Sequence, residues 1–197
     1  GVANGFNNYF SEVGATLASK FRDSNDFLTY LPRVEDVDFQ MNPASVDEVK
    51  KTILSFRDVA PGCDDLPMFV LRDNVDVLAK AVTYICNLSL SSGVFPEKLA
   101  IAKVSCIYKS GDSKRTENYR PISVLPIFSK VLERLVTVRL TAHFLEFDLL
   151  SPCQYGFRNG LSTLDAIHAI VDSLYKSFSA NKIVIGVFID LSKAFDS

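Results

Sequence analysis

The chain is poor in the residues that build zinc sites and disulfide frameworks. It has four cysteines that lie far apart, without a Cys-x-x-Cys pair, and only two histidines, His143 and His168. No apolar run approaches the ~20 residues that a helix needs to span a bilayer, and no basic and then apolar segment opens the chain. These absences exclude a recognisable zinc motif and a transmembrane span, and they favour reduced thiols and no membrane partner.

The composition is that of a globular protein. Of the 197 residues, 48% are hydrophobic and 22% are charged, which is typical of a folded domain and not of a disordered segment. Internal repeats and low-complexity tracts are also lacking. The chain begins with Gly1 and ends with Ser197 inside a motif, so we expect both ends to be cuts in a longer protein.

The net charge of −2 conceals a local excess of positive charge. Residues 1–97 contain 8 basic and 14 acidic side chains, residues 98–139 contain 9 and 3, and residues 140–197 contain 4 and 6. The middle segment therefore has a net charge of +6. Such a concentration indicates a polyanion-binding site, although a solvated basic face would give the same pattern.

Apolar residues at helical spacing predict five helices. They cover residues 2–21, a segment from the capping pair Ser45 and Glu48 to about Phe56, residues 75–90 with a stop at Gly93, a segment beginning at Pro126, and residues 164–178. The fourth helix is expected to bury one apolar face, formed by Phe128, Val131, Leu132, Leu135 and Leu140.

Three segments predict strands. Residues 101–109 and 120–125 flank a polar connection and predict an antiparallel hairpin. Residues 183–189 (Ile-Val-Ile-Gly-Val-Phe-Ile) are almost continuously apolar, which is typical of a strand buried on both faces. With the five helices, these strands predict an α+β fold.

Asp190 places a carboxylate at the carboxyl end of the last predicted strand. A buried carboxylate must be paired, hydrogen-bonded or bound to a cation, because its desolvation is costly. Rigid strand ends are also where catalytic side chains are held in place. The strand alone favours a simpler role for Asp190, as the N-cap of a following helix.

Four groups of short motifs occur along residues 60–197. The first is Pro-Gly-Cys-Asp at 61–64 with Asn-Leu-Ser at 87–89 and Gly-Val-Phe-Pro at 93–96. The second is Lys-Ser-Gly-Asp at 109–112, Asn-Tyr-Arg-Pro-Ile-Ser-Val-Leu at 118–125 and Ser-Lys-Val-Leu-Glu at 129–133. The third is Gln-Tyr-Gly-Phe-Arg at 154–158, and the fourth is Phe-Ile-Asp-Leu-Ser-Lys-Ala-Phe-Asp at 188–196. In this order they resemble the reverse transcriptases of non-LTR retrotransposons, and jockey-like elements most of all.

The resemblance implies a truncated right-hand polymerase fold. Residues 1–97 would be a helical N-terminal extension, residues 98–182 the fingers (the hairpin plus helices), and residues 183–197 the start of the palm. The family's other two metal-binding carboxylates lie in a later Asp-Asp motif. The isolated chain is therefore expected to be inactive, since that motif and the thumb are missing.

The fourth motif implies the catalytic role of Asp190, which matches the family's first palm aspartate and would bind two Mg²⁺ ions in the complete enzyme. Phe195 matches the aromatic gate that excludes a 2′-hydroxyl, although it would also suit plain core. Asp196 is expected to be a cap or surface residue and not a ligand. The remaining residues of the motif would line the incoming nucleotide: Leu191, Ser192, Lys193 and Ala194.

The second motif implies two further nucleotide contacts. Arg120 matches the fingers arginine that grips the triphosphate, for which a planar guanidinium is well suited. Lys109 matches a second triphosphate contact. Five further residues would contact the template: Lys103, Gly156, Arg158, Ser162 and Thr163. The sequence is equally compatible with other roles, namely an exposed charge at Lys103, a turn at Gly156 and a helix cap at Ser162.

The implied function is RNA-directed DNA synthesis. Its partners would be an RNA template, a DNA primer and deoxynucleoside triphosphates, without a stable protein partner, in a ribonucleoprotein of the cytoplasm and nucleus. Two alternatives remain open: an intron maturase-type reverse transcriptase, and a degenerate or domesticated remnant that binds nucleic acid without catalysis.

Overall fold

The computed structural model describes residues 1–20, 29 and 38–191 and divides the chain into two compact units. The first unit is formed by residues 1–143 and the second by residues 144–197. The domain boundaries predicted at residues 97/98 and 182/183 remain predictions. Helices and one small sheet occur together in the described residues, which is compatible with the predicted α+β class.

The described residues form seven α-helices and two strands, joined in one place by a 3-10 turn at Thr116–Asn118. In chain order they are α1 (Val2–Ala18), α2 (Val46–Ser55), α3 (Met68–Asp73), α4 (Val75–Ser92), α5 (Glu97–Ala100), β1 (Lys103–Tyr108), β2 (Tyr119–Val124), α6 (Ile127–Glu146) and α7 (Thr163–Ser179). No helix of the described part is both long and apolar enough to cross a membrane.

The five predicted helices are all confirmed, and their ends follow from local signals. The Ser45 side chain accepts a hydrogen bond from the N–H of Glu48 at 3.1 Å, which caps α2. Gly93 takes the left-handed conformation (φ 69°) and ends α4. Helices α3 and α5 were not predicted, because six and four residues are too few for a periodic pattern.

The core of the first unit lies where α2, α3, α4 and α6 meet. It contains Val49 and Ile53 of α2 and Leu71 of α3, all fully buried. Of the predicted α6 face, Val131, Leu132 and Leu135 are buried with them. Phe128 and Leu140 are only partly buried. Cys86 of α4 also lies in this core, where burial raises the pKa of its thiol to about 11. All four cysteines are free.

The predicted hairpin is confirmed. Strands β1 and β2 pair antiparallel, with Lys103 opposite Val124 and Ile107 opposite Arg120. The pairing extends one step further, since the N–H of Lys109 donates to the carbonyl of Asn118 at 2.8 Å. A well-formed ladder therefore holds both ends of the polar connection in place.

Gly62 brings the Pro-Gly-Cys-Asp motif against the end of the hairpin. A Cβ atom at this buried glycine would lie 2.5 Å from the backbone nitrogen of Pro126 and 2.6 Å from the carbonyl carbon of Leu125. The neighbouring Ala60 carbonyl accepts a hydrogen bond from Lys130 Nζ at 3.1 Å. Only glycine permits this backbone approach, so the first and second motifs depend on each other structurally.

We expect Gly62→Ala to lower the free energy of unfolding by about 1–3 kcal/mol, because the added methyl group meets backbone atoms that cannot move aside. Urea denaturation of the purified chain measures this change. Gly156→Ala is the matched control, since a Cβ there meets nothing within 4 Å and its φ is not left-handed. Equal stability of the two variants would contradict the close approach.

The second unit corrects one prediction. Residues 183–189 are not a strand and are not buried: Ile183, Ile185 and Phe188 are 93%, 85% and 89% exposed. The sheet of the described residues contains only β1 and β2, so this segment has no strand to pair with. Its composition favours a strand, but a strand needs a hydrogen-bonding partner, which sequence periodicity does not reveal.

Candidate nucleotide- and template-binding residues

Three predicted contact residues lie on one face of the hairpin. Side chains alternate between the faces of a strand, and directly paired residues share a face. Lys103 and Ile107 of β1 therefore share a face with Arg120 of β2. Lys109 comes two residues after Ile107, so it lies on the same face. We call Lys103, Lys109 and Arg120 the cationic face.

Two of these cations are free to bind an anion. Within the described part of the chain, no hydrogen bond or ion pair joins the exposed side chains of Lys109 and Arg120 to another residue. Lys103 is 61% exposed and lies 4.0 Å from Asp65, a solvated pair that contributes little to stability. The cationic face thus offers three positive charges with at most one weak internal partner.

The other side chains of the second motif shape the connection that precedes β2. Asn118 donates to the carbonyl of Asp112 at 2.8 Å, and the Tyr119 hydroxyl donates to the carbonyl of Ser113 at 2.9 Å. Gly111 has φ 97°, a conformation that favours glycine. In Asn-Tyr-Arg-Pro, the first two residues therefore fix the loop, while Arg120 faces outward.

Helix α1 contacts the hairpin through Tyr119, whose face is opposite to that of Arg120. The rings of Phe6 and Tyr119 meet edge to face with centroids 4.8 Å apart, and Tyr108 lies 5.5 Å from Tyr119. Phe10 of α1 stacks beside Phe6 at 5.9 Å. Helix α1 therefore packs against the hairpin and leaves the cationic face uncovered by this aromatic cluster.

In the second unit, the Arg158 side chain already forms one hydrogen bond within the loop that precedes α7. Its guanidinium donates to the carbonyl of Ser151 at 3.1 Å, which holds the ends of the loop together. The residue before it, Phe157, was not predicted as a site residue, yet it is 99% exposed and has a left-handed backbone (φ 61°). Strained conformations are common at functional sites, but only the structure reveals this one.

Ser162 serves the helix cap that the sequence left open as an alternative. Its backbone N–H and its hydroxyl both donate to the Asp165 carboxylate, at 2.7 and 2.6 Å. Both hydrogen bonds lower the pKa of Asp165, and the bond from the hydroxyl has the larger effect. Thr163 begins α7 next to this negative charge, so the helix start is already partly neutralised.

Asp190 is exposed, and within the described residues its carboxylate has no hydrogen-bond or ion-pair partner. Its oxygens are therefore accessible and chemically suited to Mg²⁺. Among the described residues, however, no three His, Cys, Asp or Glu side chains come together as a metal site. Leu191 is 71% exposed. The other four predicted nucleotide contacts lie outside the described residues: Ser192, Lys193, Ala194 and Phe195.

Two motif residues that carry no predicted chemistry prove to be structural. Asn87 of α4 accepts from the N–H of Ala44 at 2.7 Å and donates to the Ala44 carbonyl at 2.9 Å, which fixes the approach to α2. Ser129 of α6 is fully buried and donates to the Leu99 carbonyl at 2.6 Å. These bonds explain small polar residues at these positions by packing alone.

Comparison with known proteins decides the family. Residues 107–197, from β1 to the last residue, match the family "Reverse transcriptase (RNA-dependent DNA polymerase)". This segment belongs to the reverse transcriptase family. The match includes Lys109 and Arg120 as well as Asp190, and reverse transcriptases are generally metal-dependent.

Whole-chain comparisons extend the reverse transcriptase likeness upstream of residue 107. The chain is 32% identical over 161 residues to the probable RNA-directed DNA polymerase from transposon BS of Drosophila melanogaster, covering 79% of this chain and 17% of that protein. It is 29% identical over 194 residues to that of the X-element of the same species, covering 92% and 21%. It is 28% identical over 169 residues to the polymerase of mobile element jockey, covering 85% and 18%.

These relatives confirm the resemblance to non-LTR retrotransposon reverse transcriptases. The chain spans about a fifth of the length of the curated relatives that it matches. Their names give an RNA-directed DNA polymerase, a nucleotidyltransferase, as the enzyme class of the family.

Proposed function

We propose that this chain supplies the nucleotide-gripping hairpin and one metal-binding carboxylate of an RNA-directed DNA polymerase that copies retrotransposon RNA. The observation that carries the proposal is the cationic face. Lys109 and Arg120 are exposed and without partners in the described part of the chain, and they share this face with Lys103. Charge of this kind on a rigid ribbon suits a triphosphate.

The proposal divides the chain as the motifs do, into an extension (residues 1–97), fingers (98–182) and the start of the palm (183–197). Within the fingers, Arg120 would pair two triphosphate oxygens with its planar fork, and Lys109 would add a point charge. Lys103 would reach the phosphates of the template strand. The contacts of α1 with the opposite face of the hairpin support this division, because they leave the cationic face to the ligands.

The template would also meet the loop before α7. Arg158 retains N–H groups beyond the one that Ser151 occupies, and the exposed ring of Phe157 beside it offers a surface for base stacking. Gly156 would let the template approach this loop closely. Ser162 and Thr163 would contribute least, since Asp165 already engages the Ser162 donors.

In the palm, Asp190 would hold Mg²⁺ beside the nucleotide that Leu191, Ser192, Lys193 and Ala194 line and Phe195 selects. Two bound Mg²⁺ ions would supply a lowered pKa at the primer 3′-hydroxyl and charge stabilisation at the departing pyrophosphate. A single carboxylate cannot complete such a site. We therefore propose that the 197 residues alone bind nucleotide without polymerising it, and template-dependent incorporation by the purified chain would contradict this.

We expect Arg120→Gln to weaken binding of a deoxynucleoside triphosphate to the purified chain by roughly 10- to 100-fold, because charge-assisted hydrogen bonds to phosphate are lost. Arg120→Lys should recover only part of the affinity, since an ammonium group lacks the planar fork. Isothermal titration calorimetry measures the affinity for dTTP of the unaltered chain and of the two variants.

Arg134→Gln is the matched control, because it removes the same charge from an exposed position of α6, away from the hairpin. Its affinity for dTTP should equal that of the unaltered chain. A similar loss in Arg120→Gln and Arg134→Gln would mean that net charge, and not the cationic face, determines binding.

A further inference from the structure

Two tyrosines form the last cross-strand pair of the hairpin, next to the polar connection. Tyr108 of β1 lies opposite Tyr119 of β2, and their ring centroids are 5.5 Å apart. Side chains alternate along a strand, so both rings lie on the face opposite to Lys109 and Arg120. Phe6 of α1 packs against the Tyr119 ring with centroids 4.8 Å apart. Cross-strand packing and α1 therefore hold this tyrosine pair in place.

Both hydroxyl groups of the tyrosine pair hold the connection between the strands. The Tyr108 hydroxyl donates to the carbonyl of Gly111 at 2.6 Å, and the Tyr119 hydroxyl donates to the carbonyl of Ser113 at 2.9 Å. These two carbonyls belong to the residues on either side of Asp112. The connection is therefore tied, before and after its aspartate, to rings that point away from the cationic face.

Asp112 is the acid best placed in the chain to compete with a phosphate group for the cationic face. It lies three residues after Lys109, and opposite charges at such short range attract each other. In the structure, however, the Asp112 carboxylate accepts a hydrogen bond from the N–H of Lys114 at 2.9 Å. The other acid of the connection, Glu117, forms an ion pair with Arg115. Both acids are thus engaged inside the connection.

We propose that Tyr108 and Tyr119 are positioning residues for nucleotide binding, a role that rests on the polymerase function proposed above. Their hydroxyls keep Asp112 away from the cationic face, so that Lys109 and Arg120 stay free for the triphosphate. Neither tyrosine contacts the nucleotide. Loss of both hydroxyls releases the connection, and the Asp112 carboxylate then pairs with a cation of this face and competes with the phosphate groups.

Isothermal titration calorimetry of the purified chain with dTTP tests this role. The double variant Tyr108→Phe, Tyr119→Phe keeps both rings and removes both hydroxyls, and we expect its Kd to be about tenfold higher. Each single variant should have a smaller effect, because one hydrogen bond remains. Adding Asp112→Asn to the double variant should restore the Kd to within about twofold of the unaltered chain, since the amide has no charge to compete with phosphate.

Two controls separate positioning from simpler explanations. Tyr84→Phe removes a hydroxyl from an exposed tyrosine of α4 and should leave the Kd unchanged. Glu133→Gln removes one negative charge from an exposed position of α6, and adding it to the double variant should not restore the Kd. Circular dichroism verifies that every variant remains folded. An unchanged Kd in the double variant, a loss that Asp112→Asn does not restore, or equal restoration by Glu133→Gln would each overturn the proposal.

Arg120→Gln, measured in the same experiment, distinguishes this inference from the function on which it rests. If Arg120→Gln lowers the affinity for dTTP and the double tyrosine variant does not, only the positioning role is wrong. If the unaltered chain does not bind dTTP, or if Arg120→Gln binds it equally well, the proposed function fails and the positioning role fails with it.

Discussion

Asp190→Asn is expected to slow nucleotide incorporation by about 100- to 1000-fold in a polymerase that contains this chain. The amide has the same shape but no charge, so stabilisation of the metal-bound transition state worth several kcal/mol is lost, at about 1.4 kcal/mol for each tenfold in rate. A single-turnover primer-extension assay measures the rate. Affinity for the RNA template should not change, because the role proposed for Asp190 is to bind Mg²⁺ and not to contact the template.

Asp196→Asn provides the matched control for this substitution. Asp196 lies six residues further along the same motif, and the sequence gives it a cap or surface role. Its rate should stay within about twofold of the unaltered enzyme, since surface substitutions usually change energies by less than about 0.5 kcal/mol. A comparable loss of rate in both variants would remove the special role assigned to Asp190.

Arg139→Ala is expected to lower the free energy of unfolding of the first unit by about 2–3 kcal/mol. The Arg139 side chain is only 11% exposed and forms a two-pronged ion pair with Glu48, at 2.9 and 3.0 Å. It also donates to the carbonyls of Asn42 and Leu135, at 2.7 and 3.0 Å. Its loss leaves the Glu48 carboxylate and two carbonyls without these donors and removes the ion pair between α6 and α2.

Arg134→Ala isolates this effect, because it shortens an exposed arginine five residues earlier on α6. Urea denaturation should place Arg134→Ala within about 0.5 kcal/mol of the unaltered chain. Arg139→Lys should fall between the two, since it keeps the charge but loses the fork. If Arg139→Ala were as stable as Arg134→Ala, the link between α2 and α6 would contribute nothing.

Local features of the fold could be predicted from the sequence. Ser45 and Gly93 determine helix ends within a few residues of themselves, and the hairpin follows from two β-rich segments around a polar connection. The cationic face could also be predicted from the sequence, because the resemblance identifies Arg120 and Lys109 and the alternation of side chains along a strand places them on one face. Each of these inferences needs only residues that lie close in the chain.

Contacts between distant residues could not be predicted. Arg139 and Glu48 are separated by 91 positions, and nothing around either one indicates the other. The approach of Gly62 to Pro126 depends equally on how the segments pack. The strand predicted for residues 183–189 was wrong for a related reason. Their composition favours a strand, but a sheet also needs neighbouring strands, which the periodicity of one segment does not identify.

The hairpin pairs residues that are close in the chain, and this has a consequence for biosynthesis. Its ladder and the hydrogen bonds of its loop involve only residues 103–124, so it can close soon after leaving the ribosome, and local contacts form quickly. Asp190 emerges 66 residues after Val124, on a segment that has no partner strand among the described residues. A nascent chain would thus form the hairpin that carries Lys109 and Arg120 well before Asp190 is synthesised.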